Sequence, residues 1–251
     1  MVVAFSFCGR VTRETAFCAR ATLSFMRPLL LGHRGARRAC RENTLAAFQR
    51  ALEHGCDGFE FDVRHTADAQ SILCHDAKLA GRSVARSEFG ALLQAYRRRN
   101  PDCGENECPP SLEAVLRRFS PAFLDIELKV GGGESAVLQL LRAYPPQRYV
   151  VSSFLPQVIR RCRELDSALR LGLICDKRSE LAKWESLPVD NLFAHHRLAD
   201  PALLGEVHAA GKKLFLWTVN DAKEMRRWAE RGVDGIISDD TELLAGTLGG
   251  Y

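Results

Sequence analysis

At 251 residues, with 46% apolar and 26% charged residues, the chain is long enough to bury one large core and has the composition of a globular domain. Its net charge of +4 is concentrated at the start: residues 1–28 hold Arg10, Arg13, Arg20 and Arg27 against Glu14 alone. The remainder is close to neutral, which excludes a globally basic nucleic-acid-binding surface.

No apolar run reaches the roughly eighteen residues that a membrane helix needs. Residues 1–28 lack an apolar signal core and a small-residue cleavage site, so they are expected to form a poorly ordered extension outside the fold. Met26-Arg-Pro-Leu-Leu-Leu-Gly-His would make a natural start, with residues 1–25 an upstream extension. The nine cysteines are scattered and odd in number, as expected of free thiols in a reducing, cytoplasmic setting. Cys103 and Cys108 are the only close pair, and no second Cys or His pair lies nearby to complete a zinc site.

Leu29 to Gly35 is a short apolar run ending in His33-Arg34-Gly35, the pattern of a buried parallel strand whose end carries chemistry. Asn43 or Thr44 can cap the helix that follows, with Leu45, Phe48, Ala51 and Leu52 on one face and Gly55 as its stop. In Asp57-Gly-Phe-Glu-Phe-Asp-Val63, Phe59, Phe61 and Val63 alternate with Glu60 and Asp62. A strand therefore buries its aromatic face and sets two carboxylates together on the other. Two such neighbours repel and lose hydration, so a cation should compensate them. Residues 66–70 read as a turn and Ser71 to His75 as a short returning strand, forming a hairpin that brings His75 back towards the carboxylates.

Helices are expected over Glu88 to Arg99 and Leu112 to Arg118, on either side of a breaker-rich loop at Asn100 to Pro110. Phe123 to Lys129 repeats the earlier alternation, with Leu124, Ile126 and Leu128 on one face and Asp125, Glu127 and Lys129 on the other. Strands at Tyr149–Ser153, Leu169–Cys175, Asn191–Ala194, Lys213–Val219 and Val233–Ser238 then alternate with helical segments. Those helices are expected at Glu134–Tyr144, Leu155–Leu165, Ser179–Glu185, Pro201–Ala210 and Asp221–Arg231. With 71–75 set aside as a hairpin arm, eight strands remain. This pattern predicts an α/β fold, a (β/α)8 TIM-type barrel over residues 29–251 with a β-hairpin after the second strand. A doubly wound open sheet is the alternative, but no glycine-rich nucleotide loop follows the first strand.

A barrel gathers strand ends, so Glu60, Asp62 and Glu127 should converge at its mouth. All three are hard oxygen donors without a Cys partner, which favours one divalent cation, Mg2+ or Ca2+, over Zn2+. Arg34 and Lys129 would border the same space, and a cation with Lys and Arg describes a phosphate pocket. His33 and His75 would flank the phosphate and move protons on and off its oxygens. A lone His at a strand end is usually structural, and His54, His65, His195, His196 and His208 are read so; it is convergence that sets His33 and His75 apart.

In chain order stand His33-Arg34-Gly35, Glu42-Asn43-Thr44 opening Leu45-Ala-Ala-Phe48, Asp57-Gly-Phe-Glu-Phe-Asp-Val63, His75-Asp76, Ile126-Glu-Leu-Lys129, Trp217-Thr-Val-Asn220 and Gly232-Val-Asp-Gly-Ile-Ile-Ser-Asp239. Together these motifs resemble the glycerophosphodiester phosphodiesterase family across about residues 29 to 240. The resemblance implies hydrolysis of glycerophosphodiesters to glycerol 3-phosphate and an alcohol, through attack of the glycerol 2-hydroxyl and a cyclic phosphate opened by water. It also implies His33 and His75 as acid and base, Glu60, Asp62 and Glu127 as metal ligands, and Arg34 and Lys129 on the phosphate. Trp217 would line the substrate or pack in the barrel core, and Glu42 would orient a catalytic group. The implied partner is a small-molecule glycerophosphodiester, with no nucleic acid and no stable membrane insertion expected. Two departures from the family pattern are Arg41, where a proline often stands, and Ala69, where the hairpin turn often has glycine. Residues 77–110 match poorly and are too polar for an acyl channel, which disfavours the related lysophospholipase D activity. A non-catalytic phosphodiester-binding protein is disfavoured because both histidines and all three acids are present.

Overall fold

The computed structural model describes residues 27–250; the expectation for residues 1–26 lies outside them. Eleven strands are formed: β1 Leu29–His33, β2 Gly58–His65, β3 Ser71–Leu73, β4 Lys78–Leu79, β5 Arg82–Ser83, β6 Phe123–Leu128, β7 Arg148–Ser153, β8 Leu171–Cys175, β9 Asn191–His195, β10 Lys213–Trp217 and β11 Gly235–Ser238. Eight of these run parallel in the order β1-β2-β6-β7-β8-β9-β10-β11, and β11 pairs back onto β1, closing the barrel. The expected hairpin is present, with β3 antiparallel to β2 (Val63 opposite Leu73, His65 opposite Ser71). It is shorter than expected, and His75 lies beyond its arm. A second small hairpin, β4 antiparallel to β5 (Lys78 opposite Ser83), follows it and had no expected counterpart.

Two apolar layers hold the barrel. The outer one packs strand residues such as Phe59, Phe61, Leu124 and Ile126 against helix residues such as Phe48, Leu116 and Phe119. Phe48 and Phe59 stack at 4.2 Å, so the aromatic side of β2 faces the helices as its alternation requires. The inner layer is a plug of Leu31, Val150, Ile174, Phe193, Phe215 and Ile237. It fits because β8 and β11 each carry a glycine facing a ring. A Cβ on Gly172 would stand 2.4 Å from Phe193, and one on Gly235 2.2 Å from Phe215. The plug fills the barrel below its C-terminal mouth and leaves the mouth to polar residues.

Helix signals held where capping chemistry was explicit. Thr44 accepts from the Ala47 amide to start the helix Leu45–Glu53, and Ser111 caps Leu112–Phe119 through Ala114. The helix expected over Ser179–Glu185 is only Arg178–Leu181 followed by a 3-10 turn at Trp184–Ser186, because the chain there turns to bury Trp184. A helix at Thr241–Leu248, capped by Asp240, completes the ring and had no expected counterpart. The hairpin turn keeps its shape without glycine: Ala69 adopts φ +59°, and Thr66 binds Asp68 and the Gln70 amide around it. Arg27 forms a bidentate ion pair with Asp57 (2.6 and 2.9 Å), tying the chain ahead of β1 to the residue before β2.

Candidate active site at the barrel mouth

Strand register builds the site. His33 on β1 is opposite Glu60 on β2, and Glu60 is opposite Asp125 on β6. One step towards the mouth, Asp62 is opposite Glu127. Side chains two residues apart share a face, so four carboxylates point into the barrel together. Glu60, Asp62 and Glu127 are all buried, and each offers an oxygen within 4.8 Å of the others.

Two residues with positive φ shape the rim. Arg34 (φ +54°) turns the chain as it leaves β1, so that its amide donates to Glu60 Oε2 at 3.0 Å. Its side chain lies 3.1 Å from Asp62 Oδ2 and donates to Glu42 Oε1 at 2.8 Å. Asn43 (φ +56°) clasps Asp62 twice: its amide donates to Oδ2 at 2.8 Å, and its carbonyl accepts from the Asp62 backbone at 3.1 Å. Left-handed backbone at a non-glycine residue costs about 1–2 kcal/mol, which these side-chain bonds offset. Lys129, at the end of β6, sits 2.7 Å from Glu127 Oε1 and 3.3 Å from Asp62 Oδ1.

Charge in this cluster does not balance. Asp62 keeps a pKa below the ordinary value: burial opposes ionisation, but Arg34, Lys129 and the Asn43 bond outweigh it. Glu127 is pushed up to about 7 by burial and then by Asp62, against the pull of Lys129. Glu60 is raised well above the carboxylate range by burial, then by Asp62, Glu127 and Asp125. Asp125, which accepts from Ser152 Oγ at 2.6 Å, is pushed up to about 8, again chiefly by burial. Among the described residues nothing hydrogen-bonds Glu60 Oε1, although it is buried. An orphaned carboxylate oxygen beside two further carboxylates fits a cation with all-oxygen ligands.

His33 stands beside the acids, with Nε2 3.9 Å from Glu60 Oε2. Its Nδ1 is 2.6 Å from Asp239 Oδ1. A contact so short to a carboxylate places the proton on Nδ1 and leaves the Nε2 lone pair free. Burial lowers the His33 pKa despite Asp239, so the ring is biased towards neutral. Asp239 itself is held down to about 2: burial would raise it, but the bonds from His33 and Asn220 prevail. Asn220 donates to Asp239 Oδ2 at 2.7 Å and accepts from the Asp239 amide at 2.9 Å. His75 follows the β2–β3 hairpin and borders the same cavity as His33. Arg64 Nε grips its carbonyl at 2.9 Å, and its half-exposed ring reaches Asp76 at 2.9 Å.

These groups surround a cavity of ≈ 230 Å³ lined by His33, Arg34, Glu60, His75, Asp125, Glu127, Lys129, Phe154, Ile174, Asp176, Phe193, Trp217 and Ile237. Every site residue expected from the sequence is at this mouth; Asp62 sits just behind the lining. Trp217 borders the cavity and packs on the inner plug. Glu42 braces Arg34 and Arg37 and does not reach a histidine. Sequence reasoning missed the roles of Asp239, Asn220, Asn43 and Asp125. Asp239 was reachable: closure pairs Gly32 with Ser238, so the next residues on both strands, His33 and Asp239, emerge side by side.

A larger cavity of ≈ 570 Å³ opens at the other end of the barrel, lined in part by Arg27, Arg148, Arg170 and Lys213. It holds none of the carboxylate or imidazole groups described above.

Fold and mouth together define an α/β-barrel enzyme with an oxygen-donor cluster flanked by fixed cations and imidazoles. The model of the Glycerophosphoryl diester phosphodiesterase family matches residues 33–243, and the chain belongs to that family. It is 30% identical over 236 residues to a glycerophosphodiester phosphodiesterase of Caldanaerobacter subterraneus subsp. tengcongensis, covering 87% of this chain and 97% of the relative. A putative glycerophosphoryl diester phosphodiesterase of Silicibacter pomeroyi superposes with a TM-score of 0.77 at 25% identity, over 88% of this chain and 93% of that one. A phosphodiesterase of Oleispira antarctica, solved with the product sn-glycerol-3-phosphate, shares the fold at a TM-score of 0.77 and 22% identity, over 88% and 96% of the two chains.

Proposed function

We propose that the barrel mouth hydrolyses glycerophosphodiesters to glycerol 3-phosphate and an alcohol such as choline or ethanolamine. In this reading Glu60, Asp62 and Glu127 hold one Mg2+ or Ca2+, and His33 and His75 are the acid–base pair. Arg34 and Lys129 bind the phosphate, and Trp217 lines the substrate. The observation that carries the reading is the buried, hydrogen-bond-free Oε1 of Glu60, set among three carboxylates that only two side-chain cations offset.

A divalent cation held there supplies Lewis acidity towards the phosphoryl oxygens. The remaining work belongs to side chains. Lys129 and Arg34, anchored by Glu127 and by Asp62 with Glu42, present fixed positive charge to the phosphate without reorganising. His33, neutral and with Nε2 free, accepts the proton of the attacking oxygen, and Asp239 stabilises the imidazolium that forms. His75, which lines the same cavity, delivers a proton to the departing alcohol. Among the described residues no helix is long and apolar enough to cross a membrane, and the described cysteines are free, which suits a reducing cytoplasmic setting.

The test is release of glycerol 3-phosphate from glycerophosphocholine or glycerophosphoethanolamine by the purified chain with Mg2+ or Ca2+. EDTA and His33→Ala should each abolish it; undiminished turnover in either case refutes the reading. A long-chain lysolipid assayed beside its deacylated diester separates this activity from that of a lysophospholipase D.

A further inference from the structure

The cavity is electrically one-sided. Arg34, Lys129 and the carboxylate cluster occupy the β1–β2–β6 side, whereas the β8–β10 side offers rings and a single carboxylate. Trp217 is pinned by its indole N–H, which donates to the Phe193 carbonyl at 3.0 Å. It meets Phe154 edge to face at 5.7 Å and His195 at 5.3 Å. Phe154 already faces one cation, with Lys129 Nζ 5.5 Å from its centroid. Asp176, just past the end of β8, borders the same cavity. Its carboxylate accepts no hydrogen bond from any described residue, and its nearest cation, Lys177, is held loosely at 3.8 Å. No step of the reaction above uses this carboxylate.

We infer that Asp176 and the Trp217–Phe154 wall form a subsite for a positively charged leaving alcohol, a primary or quaternary ammonium. The inference rests on the phosphodiesterase reading and narrows its substrate class. A ring wall attracts an ammonium through its quadrupole, and a half-exposed carboxylate adds charge at short range. The phosphate is drawn to the Arg34 and Lys129 side, so a zwitterionic diester lies along the gradient of the cavity. A neutral headgroup gains nothing from Asp176, and an anionic one is repelled by it.

The experiment compares kcat/KM for glycerophosphoethanolamine with that for glycerophosphoglycerol, whose headgroup is neutral, in the full chain. The wild type should favour the ammonium substrate. Asp176→Asn should lower the ratio of the two by about five- to tenfold, and Asp176→Glu should restore most of it. Asp176→Lys should turn the preference towards the neutral glycerophosphoglycerol. A ratio unchanged in Asp176→Asn, including one in which both substrates fall together, overturns the subsite while leaving the phosphodiesterase reading intact. A wild type that turns over neither diester overturns both.

Discussion

Burying Glu127 beside Asp62 and Glu60 has a cost that depends on pH and on the cation. In the metal-free protein the Glu127 carboxyl titrates at about 7, against 4.5 for the free side chain. A carboxyl raised on folding binds its proton more tightly in the native state than in the unfolded chain. Its stabilising contribution is therefore complete below about pH 4.5 and is lost as pH rises through 7. At about 1.4 kcal/mol per pH unit across that gap, the loss by pH 8 is on the order of 3 kcal/mol. Asp125 and Glu60, raised in the same direction, act with the same sign. His33 acts oppositely, since its lowered pKa costs stability only as pH falls below its ordinary 6.5. Most of the Glu127 loss falls between pH 4.5 and 7, so thermal melts in EDTA should decline across that range and, through Asp125, on to about pH 8, by about 6–10 °C in all for a chain of this size. Saturating Mg2+ or Ca2+ replaces the missing proton, so the metal-induced rise in Tm should be small at pH 5.5 and grow steadily to pH 8. Glu127→Gln should flatten the metal-free decline and lose most of the response to metal. A metal shift equal at both pH values, or a metal-free wild type that gains stability from pH 6.5 to 8.5, would refute the charge-balance argument.

Asp239→Asn keeps the size of the residue that fixes the His33 tautomer but removes its charge; kcat should fall by about 10²-fold or more with metal affinity unchanged, as calorimetry would check. His75→Ala should lower kcat by about 10²–10⁴-fold, and a leaving alcohol of low pKa should recover most of that loss because it needs no proton. Gly235→Val drives a branched side chain into Phe215 and should destabilise by about 1–3 kcal/mol, read as a lower urea midpoint with the residual folded protein still binding metal. Ala69→Gly relieves a left-handed alanine at the hairpin turn and should stabilise by about 0.5–1 kcal/mol; a lower urea midpoint would contradict the strain assigned to Ala69.

The eight-stranded architecture was legible because period-2 alternation is a property of adjacent residues. Phe59, Phe61 and Val63 against Glu60 and Asp62 already state which face of β2 meets the helices. Convergence of Glu127 on those acids was legible for the same reason, once a barrel was assumed. What stayed hidden depends on backbone geometry that no local pattern announces. Asn43 reads as a possible helix cap, yet at φ +56° it leaves capping to Thr44 and clasps Asp62 instead. The Arg178–Leu181 segment looked like a longer helix because Leu181 and Trp184 have helical spacing, a pattern the chain satisfies equally by turning to bury Trp184. Asp176 carries no pattern at all: one acid after an apolar strand becomes meaningful only with Trp217 and Phe154 bordering the same cavity.

His33 shows why closure and chemistry are one problem here. Its partners are Glu60, on the strand that follows it, and Asp239, at the end of the last strand, 206 residues away. The imidazole is thus held across the seam where the first and last strands pair, between a carboxyl burial keeps protonation-prone and one that hydrogen bonds keep ionised. Such contrast needs both neighbours at fixed register, which only the completed ring of strands provides. A base poised in this way cannot form before β11 docks onto β1. Perturbing that pairing, even far from the mouth at Leu29 or Gly235, should therefore reduce turnover more steeply than it reduces the cation affinity of the β2–β6 acids.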